Sequence, residues 1–266
     1  MFSYDVAFWN VNMGPKSAEL KRQTFANWCK NNKPDLLFLE EDAFLDKGAE
    51  GRDQLEKLSG LKYLGHVNTL DVNDEGTGKN IVALVQAPLQ GNFQCRDVRF
   101  AKQAIRMALK VTRSGLEIYG IHANASGKGG NAAADAADLL TNRSGTVVGG
   151  DFNHPLGQEP AWQYFRPKAW SYAFGSPIPY LFTQWNDRGT RMPKTVQEYE
   201  ALMLLFHDPV INKTLLNNPI KPFNILDYAI CSNDITAKPI SSLYYDDWKS
   251  IINMFDHGPV MYKFQK

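Results

Sequence analysis

Apolar runs of strand length recur along the chain, and most of them end on a polar residue. The run from Asp35 to Glu40 is apolar almost throughout, which is typical of a strand covered on both faces. Similar runs predict further strands at Tyr4 to Val11, Ile81 to Gln86, Leu116 to Ala123, Val147 to Gly150, Ile225 to Cys231 and Val260 to Phe264.

Helical patterns lie between these strands. Ser17 is the expected N-cap of a helix that extends to about Asn32 and places its apolar residues on one stripe: Leu20, Phe25, Trp28 and Cys29. Further helices are predicted at Arg52 to Ser59, Asn131 to Leu140 and Val196 to Phe206. The alternation of strands and helices predicts an α/β layered fold.

The stretch from Val147 to Pro155 combines a strand end with chemistry. Two glycines give the backbone room, and Asp151 and Asn153 then point to the same face. A carboxylate can hold a hard cation, and an amide can donate to a phosphate oxygen. An ordinary strand-to-turn junction explains the same residues equally well.

Five other strand ends carry residues of the same kind: Trp9-Asn10, Glu40-Glu41, His122, Asp227 and Asp256-His257. In this order, the set resembles the endonuclease/exonuclease/phosphatase superfamily, whose best-known members are DNase I-like. The segments Ser126 to Ala132 and Asn224 to Ile230 look most like the catalytic subunit of cytolethal distending toxins. The resemblance implies a four-layer αββα sandwich, in which helices flank two packed mixed sheets, and a single domain over residues 1–266.

The resemblance also implies a metal site. Glu41 aligns with the family's metal-binding acid, and Asp256 would support the ion. Glu40 replaces the family's glutamine and is either an inward strand neighbour or an auxiliary ligand. The implied cofactor is Mg²⁺, with Mn²⁺ or Ca²⁺ as possible substitutes. Two acids that simply end a strand are the alternative.

Catalytic roles follow from the same alignment. His257 would be the general acid/base, because imidazole titrates near neutral pH, and Asp227 would orient it. Asp151 would orient the attacking water or hold metal, while Asn153 and Asn10 would hold the phosphate and the acid cluster. His122 would be a hydrogen-bond donor in the transition state, since the family's partner glutamate corresponds to Asn80 here.

Phosphate binding is expected at Asn10, Arg106 and Asn131 by the same resemblance. Between residues 96 and 113 lie six basic residues and one acid, in a pattern that partly alternates with apolar residues. A solvated sheet face accounts for most of these charges. Arg106 is the exception, because its setting is similar to that of a phosphate-contacting arginine in the family.

Composition narrows the remaining possibilities. The net charge of +1 requires any phosphate-binding surface to be local. Cys29 and Cys231 lie in apolar stretches and are expected to be reduced, and no apolar run is long enough to cross a membrane. The first strand leaves no room for a signal peptide, which fits a cytoplasmic protein or a mature secreted effector.

Residues 156–223 form an unusual aromatic-rich insertion, whose aromatic side chains either stack on bases or, as we expect for most, belong to the core.

Two functions fit these residues. The leading hypothesis is a Mg²⁺-dependent endonuclease that hydrolyses DNA phosphodiester bonds, and the alternative is a phosphatase for a phosphoinositide or another small phosphoester. A binding module with an inactive site is disfavoured, because every main catalytic position is filled. The sequence indicates no partner protein.

Overall fold

A computed structural model of the chain describes residues 2–68, 80–98, 108–123, 143–153, 170–172, 227–232, 234–240 and 257–266, together with residues 136, 140, 251, 254 and 255. The helices that are described over their full length are α1 (Glu19–Asn32) and α2 (Gly48–Ser59). The strands are β1 (Ser3–Met13), β2 (Leu36–Asp42), β3 (Lys62–Asn68), β4 (Asn80–Val85), β5 (Gln94–Val98), β6 (Ala108–Arg113), β7 (Leu116–His122), β8 (Thr146–Asp151), β9 (Trp170–Tyr172), β10 (Asp227–Ser232), β11 (Thr236–Pro239) and β12 (Val260–Gln265).

The strands form two mixed sheets. The first has the order β11-β12-β1-β2-β4-β3, and the second has the order β5-β6-β7-β8-β10-β9. Each sheet contains one parallel pair, β1 with β2 and β7 with β8, among antiparallel neighbours. This is the predicted DNase I-like architecture, which the structure confirms.

The inner core lies between the sheets and depends on close approach. Phe8 and Phe38 stack with ring centroids 5.2 Å apart. Glycines of the second sheet face these rings, and an added Cβ would lie 2.4 Å from Phe8 at Gly149 and 2.3 Å from Phe38 at Gly120. Larger residues at these positions would push the sheets apart, so the glycines set the spacing across which the polar strand ends meet.

The outer face of the first sheet is covered by α1 and α2. Phe25 and Trp28 of α1 pack on Trp9, with ring centroids 5.6 and 5.1 Å away. Leu20 is 57% exposed, so its predicted place in the buried stripe was wrong. The predicted cap was also wrong, because Ser17 accepts a hydrogen bond from the Gly14 amide and the helix begins at Glu19.

Three further predictions needed correction. α2 begins at Gly48 rather than Arg52, after a short 3-10 turn. The strands β3, β5, β9 and β11 were not predicted. Lys110 was assigned to a solvated face, yet it is 3% exposed and forms an ion pair with Glu117, whose carboxylate also accepts from Tyr119 and Arg143. A buried lysine with a carboxylate partner is electrostatically acceptable where an unpaired one is not.

Several predicted elements fall wholly or partly outside the described residues. Of the predicted helix at 131–140, only Ala136 and Leu140 are described, and both are helical and buried. The predicted helix at 196–206 is not among the described residues. The insertion at about 156–223 contributes β9, whose backbone pairs with β10, so the single domain with an insertion stays a prediction.

Candidate active site

The polar strand ends gather where one edge of each sheet meets the other. In the first sheet, Asn10 of β1 lies opposite Glu40 of β2. In the second sheet, Asp151 of β8 lies between His122 of β7 and Asp227 of β10. Side chains of even-numbered residues on β1 and β2, such as Phe8 and Phe38, point between the sheets, which directs Asn10 and Glu40 towards Asp151.

Asp151 is the centre of the cluster and is 1% exposed. Its Oδ2 accepts from Nδ2 of Asn10 at 3.2 Å, and its Oδ1 accepts from the backbone amide of Asn153 at 2.7 Å. Burial and the nearby Asp227 carboxylate raise the pKa of the Asp151 carboxyl, while His257 and His122 oppose this shift. The carboxylate is therefore fixed in position and held in a balance between neighbouring negative and positive groups.

His257 and Asp227 form a buried pair beside Asp151. Nδ1 of His257 lies 2.8 Å from Oδ2 of Asp227, and Nε2 lies 3.9 Å from Oδ2 of Asp151. The indole of Trp9 donates to the backbone carbonyl of His257 at 3.0 Å. One ring nitrogen is thus held by a carboxylate, and the other faces the site. Sequence reasoning assigned no role to the Trp9 indole, whose partner is 248 residues away.

His122 and Glu41 approach from the opposite side. Nε2 of His122 lies 3.5 Å from Oε1 of Glu41 and 3.9 Å from Oδ2 of Asp151. Glu41 has φ of 54° and a side chain that is 27% exposed, so the end of β2 leaves the strand conformation and turns this acid towards solvent. The side chain of Asn80 donates to the Asp42 carbonyl and to Asp46.

Glu40 is the inward strand neighbour of Glu41. It is fully buried, and its Oε2 and Oε1 accept from the Asp151 amide at 2.9 and 3.2 Å. Gly150 permits this contact, because an added Cβ would lie 2.6 Å from Oε1 of Glu40. Burial and the Asp151 carboxylate raise the pKa of Glu40 well above its ordinary value. The hydrogen bond joins the two sheets directly behind Asp151.

Asn153 lies at the rim of the cluster. Its φ of 48° is one that asparagine adopts more readily than most residues. Its Nδ2 donates to the Ala123 carbonyl at 2.8 Å, so one amide hydrogen holds the turn after β8 against the end of β7. The other predicted site residues, Arg106, Asn131 and Asp256, lie outside the described residues.

The cluster has the donors that a divalent cation needs. Oδ1 of Asn10 is buried and has no hydrogen-bond partner among the described residues, since the amide nitrogen of the same group is directed to Asp151. Such an orphan oxygen fits a cation better than a phosphate oxygen. Asp151, Asp227 and His257 also bring ligand atoms within 4.8 Å of one another. The hydrogen bond between His257 and Asp227 engages one atom of each, and Glu41 and Oδ1 of Asn10 are further oxygen donors that could hold a cation.

Paired mixed sheets with acids and histidines between their edges define a DNase I-like fold. A family model described as "Endonuclease/Exonuclease/phosphatase family" matches residues 7–247, and the chain belongs to this family. Members of the family are metal-dependent hydrolases, and this chain is one. No curated protein sequence matches the chain. No helix in the described part of the chain is long and apolar enough to span a membrane.

Solved structures of low sequence identity share the fold. Truncated TDP2 from Caenorhabditis elegans is 16% identical, with a TM-score of 0.54, over 100% of this chain and 98% of that one. ANGEL2, described as a 2′,3′-cyclic phosphatase in complex with adenosine-2′,3′-vanadate, is 14% identical, with a TM-score of 0.54, over 99% of this chain and 95% of that one. A mannosyl-6-phosphatase from Bacteroides thetaiotaomicron is 13% identical, with a TM-score of 0.58, over 99% of this chain and 100% of that one. The similarity to toxin subunits stays a prediction.

Proposed function

We propose that the protein is a Mg²⁺-dependent phosphodiesterase that hydrolyses DNA as an endonuclease. The observation that carries the proposal is the convergence of two imidazoles on one carboxylate. Nε2 of His257 and Nε2 of His122 each lie 3.9 Å from Oδ2 of Asp151. A phosphodiester needs donors for its phosphoryl oxygens, a group that positions water and a proton for the leaving oxygen, and this cluster offers all three.

His257 has the geometry of the proton-transfer group. Donation from Nδ1 to Asp227 leaves Nε2 as the nitrogen that exchanges a proton at the reacting centre. The buried Asp227 carboxylate stabilises the imidazolium form of His257, which gives its Nε2 proton to the leaving oxygen. Asp151, fixed by Asn10 and the Asn153 amide, accepts a hydrogen bond from the attacking water and orients it. His122 donates to a phosphoryl oxygen from the opposite side.

Glu41 and Asn10 would hold the Mg²⁺ ion, with Asp256 in support by family resemblance. Mg²⁺ takes one or two carboxylates from a protein and completes its coordination with waters and substrate. When bound, the ion supplies charge neutralisation at the phosphoryl oxygens. Burial of Asp151 and Asp227 within one site, with Glu41 beside them, adds to the need for positive charge there, which the two histidines meet only in part.

The choice of DNA rests on Arg106. Arg106 lies in a basic segment whose sequence resembles a phosphate-contacting segment of DNase I-like enzymes. The name of one structural neighbour, a 2′,3′-cyclic phosphatase, describes a nucleotide phosphodiester. The name of another, a mannosyl-6-phosphatase, describes a monoester of a small molecule. A phosphatase for a phosphoinositide or sugar phosphate is therefore the second candidate.

A substrate panel separates these candidates. Purified protein with Mg²⁺ is offered supercoiled plasmid, RNA, phosphoinositides and mannose 6-phosphate. The proposal expects nicked plasmid, no activity in excess EDTA and recovery when Mg²⁺ is restored. Asp151→Asn should abolish nicking. The control is Asp234→Asn, which makes the same change in the turn after β10, at the end of the strand remote from Asp227, and should leave nicking intact. Plasmid left intact while a monoester is hydrolysed would establish the phosphatase, and full nicking in EDTA would refute the metal requirement.

A further inference from the structure

A groove runs along the seam between α1 and α2, on the face of the first sheet that is turned away from the second. It consists of two adjoining cavities of about 530 and 540 Å³, which share Ala26, Lys57 and Leu58. One cavity is bounded by Pro15 and Phe44, which follow the ends of β1 and β2. The other reaches Gln86 to Pro88, just after β4. The groove therefore extends from the sheet edge that carries Asn10 and Glu41 to the opposite edge.

The groove is strongly cationic over an apolar floor. Ala26, Phe44, Leu58 and Leu61 contribute to the floor. Glu19 is the only acid among the described residues that line the groove, against five cations: Arg22, Lys30, Lys33, Lys47 and Lys57. None of the five forms an ion pair within the described part of the chain, and the four lysines are exposed. Because no ion pair within the described part of the chain offsets them, these five cations produce a local positive field along the groove, although the net charge of the protein is nearly zero.

Helix electrostatics explain only part of this set. Lys30 and Lys57 lie in the last turns of their helices, where cations are favourable beside the carbonyl ends. Arg22 lies in the first turn of α1 and Lys47 at the N-cap of α2, where a cation opposes the helix dipole. Arg22 is also held over the groove mouth, because its Nη1 donates to the Pro15 carbonyl at 3.1 Å. Positive charge at the end of the groove that carries Arg22 and Lys47 therefore needs a different explanation.

We propose that this groove binds the sugar–phosphate backbone of a DNA substrate beyond the scissile phosphate. The inference rests on the proposed nuclease function. The rise from Arg22 to Lys33, the C-cap of α1, is about 16 Å, which equals the length of about five base-pair steps along the axis of duplex DNA. Lysine and arginine side chains spaced along this length suit a repeating phosphate, and an apolar floor suits the aliphatic stems of such side chains. The groove confers affinity without base recognition.

The test compares two triple variants of the full chain that remove the same charge. The groove variant carries Arg22→Gln, Lys30→Gln and Lys57→Gln. The control carries Arg52→Gln, Lys238→Gln and Lys263→Gln, whose side chains do not line the groove. Binding to fluorescent duplex DNA is measured in EDTA over a salt series. Hydrolysis with Mg²⁺ is measured on long duplex DNA and on bis(p-nitrophenyl) phosphate, which is too small to reach the groove.

The groove variant should lower the salt slope of DNA binding by up to about 2.7, or about 0.9 for each phosphate that is no longer neutralised. Its kcat/KM should fall about tenfold or more on long DNA, which corresponds to about 1.4 kcal/mol, and stay unchanged on the small diester. The control should resemble the wild type on both. Equal decreases on both substrates, or an unchanged slope in a protein that cleaves DNA, would overturn the groove proposal. If the wild-type protein hydrolyses no diester, but its DNA binding still depends on Arg22, Lys30 and Lys57, the nuclease function would be refuted while the DNA-binding role of the groove would be supported.

Discussion

The pairing of His257 with Asp227 yields a sharp prediction, because both residues would act on one proton transfer. The two side chains are 2.8 Å apart, and each is almost fully buried. His257→Ala should lower kcat by about 10²–10⁴-fold with little change in KM, since the loss is felt in the transition state. At about 1.36 kcal/mol for each tenfold change, this corresponds to about 2.7–5.4 kcal/mol.

Asp227→Asn keeps the size of the side chain but removes its charge. The imidazolium then lacks the carboxylate charge that stabilises it, so kcat should fall by at least about tenfold. If the amide nitrogen turns towards Nδ1, the ring is held in the wrong tautomer and the loss is larger. In either case, the aspartate has nothing to orient once the imidazole is absent.

The double variant therefore distinguishes a functional pair from two independent residues. Its kcat should lie within about twofold of His257→Ala alone, which is the scatter of about 0.3–0.5 kcal/mol seen for additive sites. Steady-state kinetics on plasmid and on bis(p-nitrophenyl) phosphate provide the assay, and thermal unfolding verifies the fold. The p-nitrophenolate group leaves without a proton, so the loss in His257→Ala should be smaller on that substrate if His257 protonates the leaving oxygen. Losses that multiply in the double variant would refute the pairing and return Asp227 to a packing role.

Three further predictions concern other residues of the chain. Burial alone would raise the pKa of the Asp234 carboxyl, but hydrogen bonds from Lys266 and Ser144 outweigh this effect and hold that pKa well below its usual range. Its contribution to stability should be complete above about pH 4 and fall as the pH drops further, so the melting temperatures of wild type and Asp234→Asn should converge in acid. Gly150→Ala should lower the free energy of unfolding by more than about 2 kcal/mol and reduce kcat, since φ is +134° and the new Cβ would lie 2.1 Å from the Ile121 carbonyl. The control is Gly91→Ala, whose methyl would meet nothing within 4 Å. Arg106→Ala should weaken DNA binding and lower its salt slope by about one unit, and an unchanged affinity and slope would return this arginine to a solvated face.

Strand periodicity was enough to predict much of the fold and the direction of the inward side chains. Asn10 shares the parity of Phe8, and Glu40 shares that of Phe38, so a period of two places both between the sheets. The same argument fails at Glu41, because φ of 54° breaks the alternation at the strand end. A conformation of this kind is set by contacts from several elements and has no signature in neighbouring residues.

Errors arose where tertiary contacts outweigh local preference. Ser17 has a good capping side chain, but its oxygen accepts from Gly14 and stabilises the preceding turn instead. Lys110 alternates with apolar residues and suits a solvated face, yet a carboxylate on the neighbouring strand permits its burial. Both outcomes depend on partners that hydrophobic periodicity does not reveal.

The position of Asp151 depends on both sheets at once. Asn10 and Glu40 belong to the first sheet, and both bond to Asp151 of the second. The distance between them is set by the inner core, where Gly149 admits the ring of Phe8. A displacement of about 1 Å in a catalytic group can lower a rate by about 10²-fold. Core substitutions that widen the spacing between the sheets should therefore reduce activity before they unfold the protein, so the inner core is part of the catalytic apparatus as well as of the fold.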